Sequence, residues 1–292
     1  MSSRQARIVA LSAGATMSAA FATLAFATQL SFKPGFNLFT VREDVSLGNR
    51  TAAEVEKEMP VLDDETTTRY LAGLGRSLTG YAPNPQPEYV WQFRVLNSGE
   101  INAFALPGGY IYVNRATIES ATSEAQLAGV LAHEEGHVVM RHGTHQASEA
   151  MLAQKQLEIF SGFFGADGSL TSDILRDLLG AGVESLLLKN SRSMEAQADS
   201  VGVYILYRAG YDPRAMAQFF ETIKQKSQAP GVLRFLSDHP DPGDRIKGVD
   251  DEIPQLGPPK AWLADDRQFD TVRAHVLSLP PPPKPKPQPQ TS

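Results

Sequence analysis

Two imidazoles stand four positions apart in His133-Glu-Glu-Gly-His137, with a carboxylate directly after the first. On an α-helix, residues i and i+4 share a face, so His133 and His137 can point at a common ion. Glu134 then sits beside the open side of that ion, where a general base for an activated water belongs. A carboxylate pair, Glu195 and Asp199, repeats the four-residue spacing further along the chain. A catalytic zinc takes three protein ligands and keeps one position open, and two histidines plus a glutamate form one such set. Glu195 is the candidate third ligand. Asp199, one turn on, is placed to accept a hydrogen bond from the outer nitrogen of a ligating histidine and so fix its tautomer. Two carboxylates at this spacing also suit an exposed, solvated helix face. The small residues Ala196, Ala198 and Gly202 on and beside that face point instead to close packing on another helix.

Two further stretches carry residue types suited to the same chemistry. His239 and Arg245 lie in Ser237-Asp-His-Pro-Asp-Pro-Gly-Asp-Arg-Ile246, read as a proline-stiffened loop that can stabilise an oxyanion or hold a substrate carbonyl. Asn102-Ala103-Phe104 reads as an edge strand beside the cleft, where a peptide can be held by strand addition through main-chain hydrogen bonds.

The elements that must position these groups follow from periodicity and caps. Ser123 with Gln126 three residues on reads as a capping box, so the metal-binding helix starts near Glu124 and is expected to stop at Gly143. Leu127, Val130, Leu131, Val138 and Val139 supply its core stripe. His142 and His145, at or past its end, read as surface residues. The helix bearing Glu195 and Asp199 runs to Ala209 and ends at Gly210, and Asp212-Pro213 starts the next. Three strands are expected at Val90–Leu96, Ile101–Leu106 and Tyr110–Asn114, with Pro107-Gly108-Gly109 turning between the last two. Upstream, Thr51–Tyr81 is helical with a break at Pro60, and residues 28–50 are expected to form an extended lead-in. Residues 144–190 read as a second helical tract whose apolar clusters pack in a core or form a lid over the cleft. Residues 264–279 read as a short terminal helix. The expected class is α+β, mostly helical, with a small antiparallel or mixed sheet beside the zinc helix.

Composition limits the alternatives. The 292 residues carry a net charge of −6, with no basic stripe for a nucleic acid, and contain no cysteine. Disulfides, an N-terminal lipidated cysteine and a thiolate zinc site are therefore excluded, and the metal must be held by His, Asp and Glu. Arg4 and Arg7 precede an uncharged stretch from Ile8 to Leu30 that ends near Ala25-Phe-Ala27, the pattern of an export signal covering residues 1–27. An uncleaved membrane anchor is the alternative, since about 20 apolar residues span a bilayer. The chain closes on a Pro/Lys/Gln tail over residues 280–292, expected to be extended and solvated.

Taken together, Asn102–Gly109, His133–His137, Glu195–Asp199 and His239-Pro240 with Arg245-Ile246 resemble, in order, metallopeptidase family forty-eight, the group of HtpX-like and Oma-like proteases and CAAX-prenyl endopeptidases. The resemblance extends from Thr51 to Ile253. It implies a gluzincin-type domain over residues 51–279 holding one zinc ion on His133, His137 and Glu195, with Glu134 as base. It also implies that His239 acts near the metal, at the oxyanion or as an inhibitory ligand, and that the Asn102–Phe104 strand lines the substrate cleft. The expected protein is an exported endopeptidase of the bacterial periplasm or cell envelope acting on unfolded or misassembled polypeptides, with membrane association as the alternative in which the N-terminus is not cleaved. The rival is a latent or non-catalytic chaperone or binding protein stabilised by zinc.

Overall fold

The computed structural model describes residues 32–160, 190–226, 235, 238, 239 and 242–283. The expected export segment, the apolar tract 161–189 with its lid reading, and the tail beyond residue 283 lie outside the described residues.

The chain first folds two helices, α1 (Val41–Glu58) and α2 (Glu65–Thr79). Helix α1 overturns the expected extended lead-in. Its N-terminus carries a full capping box, in which the Thr40 hydroxyl accepts from the Glu43 amide and Glu43 reaches back to the Thr40 amide. The start was legible as Thr40-x-x-Glu43. The buried face that makes the helix pay was not, because it includes Asp44, Gly48 and Thr51 alongside Leu47 and Val55. Pro60 separates α1 from α2 as expected, and the Asp64 carboxylate caps α2 through the Thr67 amide.

A mixed three-stranded sheet follows: β1 (Gln92–Leu96), β2 (Ala103–Leu106) and β3 (Tyr110–Asn114), in spatial order β1-β3-β2. β3 pairs parallel with β1, Phe93 opposite Ile111, and antiparallel with β2, Phe104 opposite Tyr112. The β2–β3 turn needs glycine, with φ of 80° at Gly108 and 105° at Gly109. This order leaves β2 as an edge.

Beyond α3 (Arg115–Ser120), the core is built around α4 (Glu124–Val139), which is buried along nearly its whole length. Helix α5 spans His142–Phe160 and α6 spans Arg192–Ala209. Helices α4 and α6 approach so closely that a Cβ on Gly136 would lie 2.6 Å from the Ala198 carbonyl oxygen. Ala198 and Gly202 face this contact as expected, whereas Ala196 is exposed. Helix α7 (Arg214–Gln225) packs against α4 with Met216, Phe219, Phe220 and Ile223 as its apolar face, and α8 (Pro242–Leu256) packs against both α6 and α7. The terminal helix α9 (Arg267–Ser278) is tied down by the buried Arg115 guanidinium, which donates to the Val276 and Leu279 carbonyls at its C-terminal end. No helix among the described residues is long and apolar enough to cross a membrane.

Candidate metal centre

Helix α4 presents His133 and His137 on one face, and α6 presents Glu195 to the same point. Ser123 caps α4 through the Gln126 amide, while the Gln126 side chain accepts from the Thr122 amide, one residue outside a standard capping box. The His133 and His137 Nε2 atoms lie 3.0 Å apart. Glu195 brings Oε2 to 3.5 Å from His133 Nε2 and Oε1 to 3.3 Å from His137 Nε2. Ligand atoms on a tetrahedral zinc with bonds of about 2.0–2.1 Å are separated by about 3.3 Å. The observed spacings bracket that value, and the donors are two imidazole nitrogens and a carboxylate, so these residues fit a zinc ion. His239 joins the group, its Nδ1 3.1 Å from Glu195 Oε2 and 3.3 Å from His133 Nε2. The four ligand atoms lie within 4.8 Å of one another, and all four residues are buried.

Behind the ligands stands a charged support. Asp199 Oδ1 lies 2.9 Å from His133 Nδ1, and Nε2 of the same ring faces the candidate ligand group. Arg245 grips Asp199 through Nε at 2.8 Å and Nη2 at 2.6 Å, places Nη1 2.9 Å from Glu195, and lies over the Phe220 ring. It sits in α8 rather than in a loop: Pro242 opens the helix, and two further residues bring Arg245 to its inner face. Burial opposes ionisation of Asp199, but the Arg245 charge and hydrogen bonds outweigh it and hold the carboxyl below its ordinary range. Burial likewise opposes a charged Glu195, and His239, His133 and His137 overcome it. For His239, burial works against the proton, yet the carboxylates of Glu195 and Glu134 lift its pKa to about 9.

Glu134 does not join the ligand group. Among the described residues its Oε1 finds no hydrogen-bond partner; it lies 3.6 Å from His239 Nε2 and faces a cleft of about 650 Å³. Burial raises its pKa, with the charges of His239 and His133 opposing. The cleft is walled by Phe104–Pro107 of β2 and its turn, and reaches past His137 to Asp44, Tyr89 and Arg141. The Asn102 carbonyl accepts from the Asn114 amide on β3, so alternation turns the main-chain groups of Ala103 and Ala105 to the open edge. There the Ala103 carbonyl meets His239 Nε2 at 3.3 Å. Of the three strand residues expected at the substrate, Phe104 lines the cleft. The Ala103 side chain is fully buried, and Asn102 turns inward to donate to Asp238 Oδ2 at 2.8 Å, fastening the segment that carries His239.

The sequence model of peptidase family M48 matches residues 65–253, which include every residue of this group. The chain belongs to peptidase family M48. Within the family it is 27% identical over 252 residues to the beta-barrel assembly-enhancing protease of Escherichia coli (strain K12), covering 82% of this chain and 49% of the relative. It is 31% identical over 166 residues to mitochondrial metalloendopeptidase OMA1 of Schizosaccharomyces pombe, covering 56% and 47%. It is also 33% identical over 177 residues to the mitochondrial metalloendopeptidase OMA1 of Bos taurus, covering 58% and 33%. The chain thus spans about half the length of the bacterial relative and half or less of the mitochondrial ones.

Family M48 peptidases use zinc, and two features of this member's centre were not foreseen from its residues. Helix α4 stops at Val139 instead of Gly143, because Arg141 adopts φ 56°. Its guanidinium is held in that left-handed turn by Asp44 at 2.6 and 3.0 Å and by the Phe39 carbonyl at 2.6 Å. The early stop starts α5 at His142 and folds that residue inward, so it is 2% exposed rather than on the surface. No local signal marks either residue, since Arg141 is held by Asp44, 97 positions away, and His142 is turned inward by that same stop. A third feature is a cost. Both oxygens of the fully buried Glu135 lack hydrogen-bond partners among the described residues, and burial raises its pKa well above 4.5. The folded chain retains that proton while the unfolded chain loses it above about 4.5, so stability falls as pH rises through this range. Glu135→Leu is therefore expected to stabilise the chain by about 1–3 kcal/mol at neutral pH, less near pH 4, measured by urea melts at both pH values.

Proposed function

We propose that this chain is a zinc metalloendopeptidase of the bacterial envelope that hydrolyses internal peptide bonds of unfolded or unassembled polypeptides. The observation that carries the reading is Glu134. It presents an unpartnered carboxylate oxygen to the cleft immediately beside a His133–His137–Glu195 group with the spacing of a zinc site. One relative's name supports the reading: it is a protease that enhances β-barrel assembly, and β-barrels are the architecture of outer-membrane proteins. An N-terminal export signal, cleaved or retained as an anchor, fits that location.

Held by His133, His137 and Glu195, zinc supplies Lewis-acid activation of a water and of the scissile carbonyl. Glu134 takes the proton of the attacking water and delivers it to the leaving amine. Asp199 holds His133 in the tautomer that leaves Nε2 free, and Arg245 positions Asp199 and Glu195. Arg245 does not line the cleft, so oxyanion contact falls to His239 in preference to Arg245. The substrate strand pairs with the Ala103 and Ala105 edge of β2, with Phe104 beside its side chains.

A latent form of the same enzyme is favoured by one observation: His239 stands within the ligand group itself. In that form His239 must leave before water and substrate enter. His239→Ala is then expected to raise casein cleavage several-fold with zinc content unchanged. A drop of about 10²–10³ in kcat would instead assign His239 to the oxyanion. The non-catalytic rival predicts no cleavage in either chain, and removal of zinc by a chelator, with folding followed by circular dichroism, separates it from the protease.

A further inference from the structure

His137 and His133 share a ligand role, but their outer nitrogens have different neighbours. His133 Nδ1 has the Asp199 carboxylate. His137 Nδ1 has a second imidazole, His142 Nδ1, 2.9 Å away, and His142 Nε2 is 3.1 Å from Gln197 Oε1. We propose that His142 is a positioning residue for the metal centre, a neutral imidazole that fixes the tautomer and ring orientation of His137 and is itself fixed by Gln197.

The assignment follows from counting protons. Two ring nitrogens 2.9 Å apart require one proton between them, since two protons or two lone pairs would repel. His137 Nε2 faces the ligand group and must present its lone pair there, so the His137 proton sits on Nδ1 and donates to His142. His142 Nδ1 is then an acceptor, which places its proton on Nε2, where Gln197 Oε1 accepts it. Every hydrogen has one place to go. Gln197 is two residues after Glu195 on α6, and His142 opens α5, so the chain of bonds ties the third ligand's helix to the second ligand's ring through a residue outside both ligand helices. A neutral acceptor also supports His137 without adding another buried negative charge to a site that already holds Glu134, Glu195 and Asp199.

The proposal rests on the zinc reading, and the experiment separates the two. Zinc affinity is measured on the full-length chain by competition with a chromophoric chelator for the wild type, His142→Leu, His142→Asn and Gln197→Leu. Asparagine keeps an acceptor oxygen close to the position of the histidine Nδ1; leucine keeps volume only. His142→Leu is expected to bind zinc about 10- to 100-fold more weakly, and His142→Asn to recover most of that loss. Nitrogen-15 spectra of the zinc-loaded wild type should show His137 protonated on Nδ1. Equal weakening by leucine and asparagine, or wild-type affinity in the leucine variant, overturns the proposal while leaving the zinc site standing. If His142→Leu does not fold, Gln197→Leu on the exposed flank of α6 decides: looser zinc supports the relay, and an unchanged affinity overturns it. A wild type that takes up no zinc would overturn the zinc reading and this inference together.

Discussion

Glu134→Gln is expected to retain one zinc per chain while cleaving an unfolded protein at least about 100-fold more slowly, the lower end of what a positioned general base contributes. The substitution keeps shape and hydrogen-bonding volume and removes only the ability to take a proton. The ligand group is unaffected, because Glu134 stands outside it, 3.6 Å from His239. Burial raises the Glu134 pKa above the ordinary carboxylate value, so the acid limb of kcat/KM should lie above that range and vanish in the glutamine variant. Metal analysis beside a casein-type assay checks both halves. Full activity with glutamine would sink the mechanism, and loss of zinc would make Glu134 a structural residue.

Arg245→Met is the second large effect, and it is on stability. Arg245 is the guanidinium that touches both Asp199 and Glu195, all three residues being buried. Removing one partner of a buried ion pair costs about 3–5 kcal/mol, because the remaining charge is stranded out of water. At 2–4 °C per kcal/mol for a domain of this size, the metal-free chain should melt roughly 10 °C lower. The sign with pH follows from the carboxylates. Asp199 is held below 3.8, so its contribution is present above that value and lost as pH falls through the folded-state pKa. The deficit in Arg245→Met should therefore be full from neutral pH down to about 3.8 and shrink only below that value. Pairing it with Asp199→Asn should recover part of the loss. A calorimetric loss below about 1 kcal/mol would place the pair among solvent-screened ion pairs.

The chemistry of this protein was legible where it depends on helical period. His133 and His137, and Glu195 and Asp199, share a face because four residues nearly complete a turn, whatever the rest of the chain does. Small residues at Ala198 and Gly202 announced the close helix contact, and Pro107-Gly108-Gly109 the hairpin that makes β2 an edge. Capping gave the start of α4, and Gly210 the end of α6, for the same reason, since a cap is made between near neighbours. What failed was set by distant partners. The end of α4 was decided by Asp44, a charged residue on the buried face of a helix 97 positions away. That one turn at Arg141 moved His142 from the surface to the side of His137, and the first turn of α8 carried Arg245 behind Asp199 and Glu195 instead of into the cleft. The sequence alone therefore determined which side chains share a helical face. Only the tertiary structure decided which of them meet across helices, because those distances are set by packing contacts between residues a hundred positions apart that leave no periodic trace.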